Sequence, residues 1–240
     1  SPSTLDGAKY FIPNHIVKSR ATARSLESRA ERVHWIPLAL NPDYFHPRET
    51  PRRRQVLAIG GLEAPPLYCH TIRTVFAALH RLRPALGLAL IAHGFSALPL
   101  GFPCRHYGTA RSPEHLAQAL SESTVLLDPV RAPGCGWHGL AAMACGTAAV
   151  LSHEGGIPTY AKHDYNALLV DPRDTDAMVD RVLACLDDDA LRTRLTAQGL
   201  QYGRAADIRD AHDLLEAQSI RAALARNRGN RLAAARELGI

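Results

Sequence analysis

The sequence lacks any uninterrupted run of the roughly 18 apolar residues that a membrane-spanning helix needs. It also has no basic-then-apolar segment typical of an export signal, so it predicts a cytoplasmic protein with no membrane span. Its five cysteines are widely spaced and include no C-x-x-C pair, which argues against a disulfide framework and against a zinc site. Free thiols and no metal are therefore expected.

The excess of positive charge lies at the two ends of the chain and not in its middle. The net charge is +5, but residues 1–54 carry ten Lys and Arg against five Asp and Glu, and residues 219–240 carry five Arg against Glu237. The stretch between them, 55–218, is net −4. The basic composition thus does not predict a nucleic-acid surface across the main part of the protein.

Alternating strand and helix signals begin at Gln55. Short apolar runs predict strands at 55–61, 87–94, 104–108, 124–130, 148–153 and 167–172. Helices are predicted at 67–82, where apolar residues recur with helical spacing, from Ser112, where Ser-Pro-Glu forms a capped start, and after Gly139, Gly156 and Asp174. Near-continuous apolar strands separated by helices predict an α/β fold, a Rossmann-like parallel sheet with helices on both faces.

The chain divides into three predicted parts. Residues 1–50 have too few apolar residues for a core of their own and are interpreted as a linker and remnant of an upstream domain. Residues 51–205 form the predicted Rossmann-like domain, and residues 206–240 form a helical tail. The start without Met and the abrupt end suggest a fragment of a longer chain.

Glycines follow three of the predicted strands, as Gly60-Gly61, Gly134-Cys135-Gly136 and Gly155-Gly156. In open α/β sheets, ligands lie beyond the carboxyl ends of the strands and against helix N-termini. Glycine lets the backbone approach a phosphate closely, and exposed amides supply donors. Each pair alone is better explained as a tight turn, but three at one edge favour a nucleotide-type ligand site.

The segment GLAAMACG, at 139–146, is followed by a glycine-glycine turn and by the strand ALLVDP. In this order and spacing, residues 55–204 resemble the C-terminal, donor-binding domain of group 1 glycosyltransferases with the GT-B fold. The sequences WIPLALNPDYFHP (35–47) and IGGL (59–62) are similar to two further motifs of that family.

The resemblance implies an enzyme that transfers a hexosyl group from a nucleotide-diphosphate donor to an unknown acceptor, without a metal or another cofactor. It implies that an upstream GT-B domain is missing from this chain. The residues placed at the donor are Gly60, Gly61, Gly134, Cys135, Gly136, Trp137 and His138.

The sequence departs from the family at four positions. Pro133 and Ala141 stand where the family has two glutamates, and Gly61 and Leu67 stand where it has an Arg and a Lys. The resemblance implies that those four side chains would bind the donor sugar, ribose and diphosphate, so the catalytic residues are unknown and the domain could be degenerate.

Several polar residues have a functional and a plain interpretation. In the loop after the fourth main strand, His138 and Arg131 could add positive charge, but an exposed loop histidine and a solvated arginine explain them equally well or better. His93, His106 and His153 are interpreted as turn histidines with satisfied hydrogen bonds. Asp187-Asp188-Asp189 is interpreted as a solvated loop and helix cap rather than a metal cluster.

The tail, LEAQSIRAALARNRGNRLAAARELGI, resembles the Fis-type helix-turn-helix of bacterial regulators. In that motif, Ala234 and Ala235 keep two helices close and Gly239 makes the turn into the recognition helix. DNA is therefore a partner only if a recognition helix follows Ile240. A second hypothesis is a regulatory protein with a transferase-like sensor domain, and a third is a tail that only packs on the domain.

Overall fold

A computed structural model describes residues 14–17, 26, 32–35, 38–60, 66–92, 100–131, 136–205, 226 and 230. Two short strands come first, β1 (Asn14–Val17) and β2 (Arg32–Trp35), and they pair in parallel. The remaining elements are β3 (Arg53–Gly60), α1 (Pro66–Leu82), β4 (Gly87–Ala92), β5 (Arg105–Thr109), α2 (Pro113–Glu122), β6 (Ser123–Asp128), α3 (Trp137–Ala144), β7 (Ala148–Ser152), β8 (Leu168–Val170), α4 (Thr175–Asp187) and α5 (Asp189–Ala205).

Strands β3 to β8 form one six-stranded sheet in the order β5-β4-β3-β6-β7-β8. Every neighbouring pair is parallel. The order runs outward in one direction from β3 and in the other from β6, so the strand order reverses between these two central strands. This is the doubly wound arrangement of nucleotide-binding folds, and it confirms the predicted Rossmann-like sheet.

Both faces of the sheet are buried, as the continuous apolar strands predict. Along β3, Leu57 and Ile59 point into a core shared with α2 and α3, whereas Val56 and Ala58 point into a core shared with α1 and α4. Successive side chains of a strand face opposite sides, so each strand contributes to both layers. Leu40 and Phe45, from the segment before the sheet, complete the first core.

The helix starts follow their capping residues. The Ser112 hydroxyl accepts a hydrogen bond from His115 N at 3.3 Å, ahead of Pro113 in the first turn of α2. The Asp174 carboxylate accepts one from Ala177 N at 2.9 Å at the start of α4. Both starts confirm the sequence signals, because these side chains satisfy amide groups that the helix itself leaves without a partner.

Two expectations for helices were wrong in detail. Helix α3 begins at Trp137 rather than after Gly139, because Gly136 adopts a left-handed conformation, with φ 65°, and ends the preceding loop. After Gly156 there is only a short 3-10 turn, Ile157–Thr159. The chain leaves the helical path at Tyr160, which has φ −130°. The Tyr160 hydroxyl donates to Gly136 O, and its own carbonyl oxygen accepts from Asn166 Nδ2 at 2.9 Å, so tertiary contacts hold this residue.

Arg52 joins the segment before β3 to the start of β6 and to the segment just before β7. Its guanidinium donates to Ser123 O at 2.8 Å, to Thr147 Oγ1 at 3.1 Å and to Cys145 O at 3.3 Å. Burial lowers the pKa of this arginine from its ordinary value. Ser123 begins β6 and Thr147 directly precedes β7, so one side chain ties three separate pieces of chain together at the amino ends of the strands.

Replacing Arg52 with alanine is expected to reduce the free energy of unfolding by about 1–2 kcal/mol, since three acceptors lose a charged donor. Urea denaturation measures the change. Arg54→Ala is the matched control, because Arg54 makes an exposed ion pair with Asp187 and is 64% exposed, and such pairs contribute little. Equal effects of the two substitutions would show that Arg52 is only another surface arginine.

Candidate functional site

The candidate site is the crevice beyond the carboxyl ends of β3 and β6, where the strand order reverses. Gly60 is the last residue of β3, and Asp128 is the last residue of β6. Ligands of doubly wound sheets bind at this place. Of the residues predicted from sequence, the structure describes Gly60, Gly136, Trp137 and His138. Gly61, Gly134 and Cys135 lie outside the described residues, as does Pro133.

Gly136 fixes where helix α3 begins. Its backbone is left-handed, and an added Cβ would lie 2.9 Å from Cδ1 of Ile157 and closer still to Cγ1. Its carbonyl oxygen accepts a hydrogen bond from the Tyr160 hydroxyl. Only glycine fits this position without displacing neighbouring atoms, and the turn after β7 therefore holds the start of α3 in place.

Trp137 links this helix start to the segment before the sheet. Its indole meets the Phe45 ring edge to face, with centroids 6.1 Å apart and planes at 77°. The indole also packs against the His138 ring, with centroids 4.5 Å apart and planes tilted by 42°. Aromatic pairs of this geometry add to the energy of simple burial. Trp137 thus orders both the linker and the histidine that follows it.

His138 lies against a buried carboxylate. Its Nδ1 is 3.6 Å from Oδ2 of Asp128, an ion-pair distance that is too long for a hydrogen bond. The Asp128 side chain is 0% exposed and that of His138 is 17% exposed. The interpretation of His138 as an exposed loop histidine was therefore wrong, since it sits in the first turn of α3 and is mostly buried.

Sequence reasoning missed Asp128. The signal was present as a carboxylate at the end of the apolar run TVLLD, at the predicted ligand edge. A charged group seldom occupies a fully buried position unless something compensates it. That rule, applied to the end of β6, would have marked Asp128 as a site residue.

The burial of Arg131 and Ala141 bears on the polar side chains that the site can offer. Arg131 is half-buried rather than fully in solvent. Ala141, where the resemblance implies a glutamate, is completely buried among apolar residues of α3. Ala141 thus contributes apolar packing on the interior side of α3 and no polar contact to a ligand.

The turn after β7 is held by hydrogen bonds of the kind common in turns. The Ser152 hydroxyl accepts from Glu154 N at 2.9 Å, and Nδ1 of His153 lies 3.0 Å from Val170 O. Gly155 has φ 69°. His153 is therefore the satisfied turn histidine that was predicted. His106 lies exposed in strand β5 rather than in a turn, and His93 lies outside the described residues.

Asp187 and Asp188 are engaged in structural contacts. Asp187 pairs with Arg54 at 2.7 Å and with Arg83 at 3.3 Å. The Asp188 carboxylate accepts from Leu191 N at 2.8 Å and caps α5, as predicted. Within the described part of the chain, no group of three or more His, Cys, Asp or Glu could hold a metal ion. The four cysteines described there are free thiols.

None of the helices described in the structure is long and apolar enough to cross a membrane.

The chain resembles known proteins in both sequence and fold. It is 32% identical over 113 residues to D-inositol 3-phosphate glycosyltransferase 1 of Catenulispora acidiphila, a match that covers 47% of this chain and 25% of that protein. Sucrose-phosphate synthase from Thermosynechococcus elongatus has the same fold, with a TM-score of 0.72 at 22% identity over 89% of this chain and 59% of the other.

A further structural match is Anabaena HepE in complex with UDP-glucose. Its TM-score is 0.71 at 15% identity, and the match covers 88% of this chain and 64% of that one. This chain spans about a quarter of the length of the Catenulispora relative. The two structural matches establish a shared fold.

Two family models match different parts of the sequence. The model of the bacterial regulatory protein Fis family matches residues 213–240, which lie almost wholly outside the described residues. The model of group 1 glycosyl transferases matches residues 54–188, which run from β3 through α4 and enclose the whole crevice. Because that match takes in more than half of the sequence and the sheet beneath it has the expected order, the chain belongs to the group 1 glycosyltransferases.

Proposed function

We propose that this chain is the donor-binding half of a glycosyltransferase that moves a sugar from a nucleotide-diphosphate donor to an acceptor. The observation that carries the proposal is the position of the start of α3. It lies where the strand order reverses, and the chain belongs to a family of glycosyltransferases. An upstream domain, outside this chain, would supply the other wall of the site and hold the acceptor.

The chemistry of transfer sets what the crevice must provide. An acceptor hydroxyl oxygen bonds to the anomeric carbon, the bond from that carbon to the donor phosphate breaks, and the acceptor loses its proton. The departing nucleoside diphosphate gains negative charge, which has to be stabilised. The first turn of α3 contains no acidic residue and begins at the left-handed Gly136, so its amides favour an anion at this place.

The missing polar side chains limit the expected rate. Removing one preorganised stabilising group typically lowers a rate by about 10²–10³, and Ala141 is an apolar, buried residue in this site. We therefore propose that donor binding is retained and that transfer by this chain alone is slow. The sugar, the base and the acceptor are left open.

Isothermal titration calorimetry with a panel of nucleoside diphosphates tests the proposal. One base is expected to give a binding heat, and the matching nucleoside monophosphate is expected to bind more weakly because it has one phosphate fewer at the helix start. HepE, crystallised with UDP-glucose, makes UDP a natural first member of the panel. Absence of heat with every diphosphate at millimolar concentration would overturn the proposal.

A second candidate is a regulatory protein in which this domain senses a ligand for a DNA-binding tail. The Fis family match at 213–240 is the observation that favours it. The coding sequence after Ile240 decides between the two. A further helix there would complete a helix-turn-helix that can enter the major groove, whereas a stop codon at that point would eliminate sequence-specific DNA binding by the tail.

A further inference from the structure

We propose that Asp128 positions the His138 imidazole so that its Nε2 donates a hydrogen bond to the diphosphate of the donor. The inference rests on the proposed donor site and deepens it by naming a side chain that donates there. His138 would contact the ligand, and Asp128 would act through His138 as a positioning residue.

Asp128 is the first part of the argument. It ends the central strand β6 at the crevice, and its side chain is 0% exposed. Removing a carboxylate from water is costly unless a positive group or hydrogen-bond donors compensate it. His138 provides a nearby basic group, with Nδ1 3.6 Å from the carboxylate oxygen.

The orientation of the ring is the second part. Nδ1 faces Asp128, so Nε2 lies on the opposite side of the imidazole. The Trp137 indole lies 4.5 Å from the ring and restricts its rotation. Because 17% of the side chain remains exposed, the histidine is held in place and is still partly accessible.

The proposed role needs a proton on Nε2. A ring with its only proton on Nδ1 would present Nε2 as an acceptor and would repel a phosphate oxygen. A ring with a proton on Nε2 donates to the diphosphate, and hydrogen bonds to a charged oxygen are among the stronger ones.

The test compares diphosphate and monophosphate binding by the full 240-residue chain. His138→Gln is expected to weaken the binding of the nucleoside diphosphate by about tenfold to a hundredfold, and to change the binding of the matching monophosphate much less. Asp128→Asn is expected to act in the same direction although residue 128 never touches the ligand. His106→Gln, at an exposed position on β5, is the matched control and should change neither affinity.

The outcomes separate the two proposals. If the unaltered chain binds no diphosphate, the proposed function fails and this inference fails with it. If the chain binds diphosphate and either His138→Gln or Asp128→Asn leaves the ratio of the two affinities unchanged, only the assignment of the pair is wrong. An equal loss of both affinities would indicate a structural role and would also overturn the assignment.

A spectroscopic measurement covers the case in which Asp128→Asn does not fold. The ¹⁵N chemical shifts of the His138 ring, assigned from the spectrum that His138→Gln lacks, report which nitrogens carry protons. In the complex of the unaltered chain with the diphosphate, Nε2 is expected to carry a proton. A His138 ring with an unprotonated Nε2 in that complex would contradict the proposal.

Discussion

Replacing Gly136 with alanine is expected to lower the free energy of unfolding by about 2–5 kcal/mol, the combined cost of a left-handed backbone at a residue with a side chain and of overpacking. Gly136 has φ 65°, and its added Cβ would press on Ile157. Ile157 is fully buried and cannot move away without disturbing the turn after β7. Urea denaturation followed by circular dichroism measures the loss.

The control for Gly136 separates the two costs. Gly108 has φ 72°, similar to Gly136, but an added Cβ would meet nothing within 4 Å. Gly108→Ala should therefore show the backbone cost alone, about 1–2 kcal/mol. If the two substitutions are equally destabilising, Ile157 and Tyr160 do not confine the start of α3 as the structure indicates.

The second large effect is expected at Gly203, where α5 crosses α3. A Cβ at this position would lie 2.7 Å from both N and Cα of Ala144. Backbone atoms cannot rotate aside, so Gly203→Val should cost about 3 kcal/mol, at the upper end of overpacking penalties. Thermal unfolding, checked by chemical denaturation, provides the measurement.

Gly199, one helical turn earlier on α5, is the matched control. Its nearest neighbour is Cγ of Met143, at 3.1 Å from an added Cβ. A methionine side chain adapts its shape readily, so Gly199→Val should be clearly milder than Gly203→Val. Equal stability of the two variants would mean that the last turn of α5 detaches from α3 instead of bearing the strain.

The sheet could be predicted from sequence because its signals are local. Runs such as VLAI and VLL are apolar, and the strands that contain them are followed by Gly61 and Pro129. Burial on both faces produces that composition directly. The helix expected after Gly156 failed for a reason that is not local, because the Tyr160 hydroxyl is held by Gly136 O, from a residue 24 positions earlier in the chain.

The site was only partly predictable. Gly136 could be identified from its residue type, since glycine at a strand-to-helix turn has few alternatives. The contact between Asp128 and His138 could not, because the nine residues between them, PVRAPGCGW, follow no helical or strand period in sequence. Their proximity depends on how α3 is held by Tyr160 and Ile157, which are more than twenty residues away from β6 in sequence.

The structural role of Arg52 could not be predicted from the sequence either. It belongs to the run PRRR at 51–54, which contributes to the basic excess of the first part of the chain. In the fold, Arg52 bonds to oxygens of Ser123, Cys145 and Thr147, and Arg53 lies 3.5 Å from Glu122. Counting charges along the chain cannot separate an arginine that binds its own fold from one that remains available to a partner.

The reversal of strand order couples ligand binding to unfolding. Strands β3 and β6 set Leu57 beside Leu126, and the crevice forms only when these distant segments pair, at an entropic cost that grows with the length of chain between them. A nucleotide in this crevice would bind the folded chain, in which β3 and β6 are paired, and not the unfolded chain. By thermodynamic linkage, each increase in its concentration above the dissociation constant should then raise the melting temperature of the whole domain.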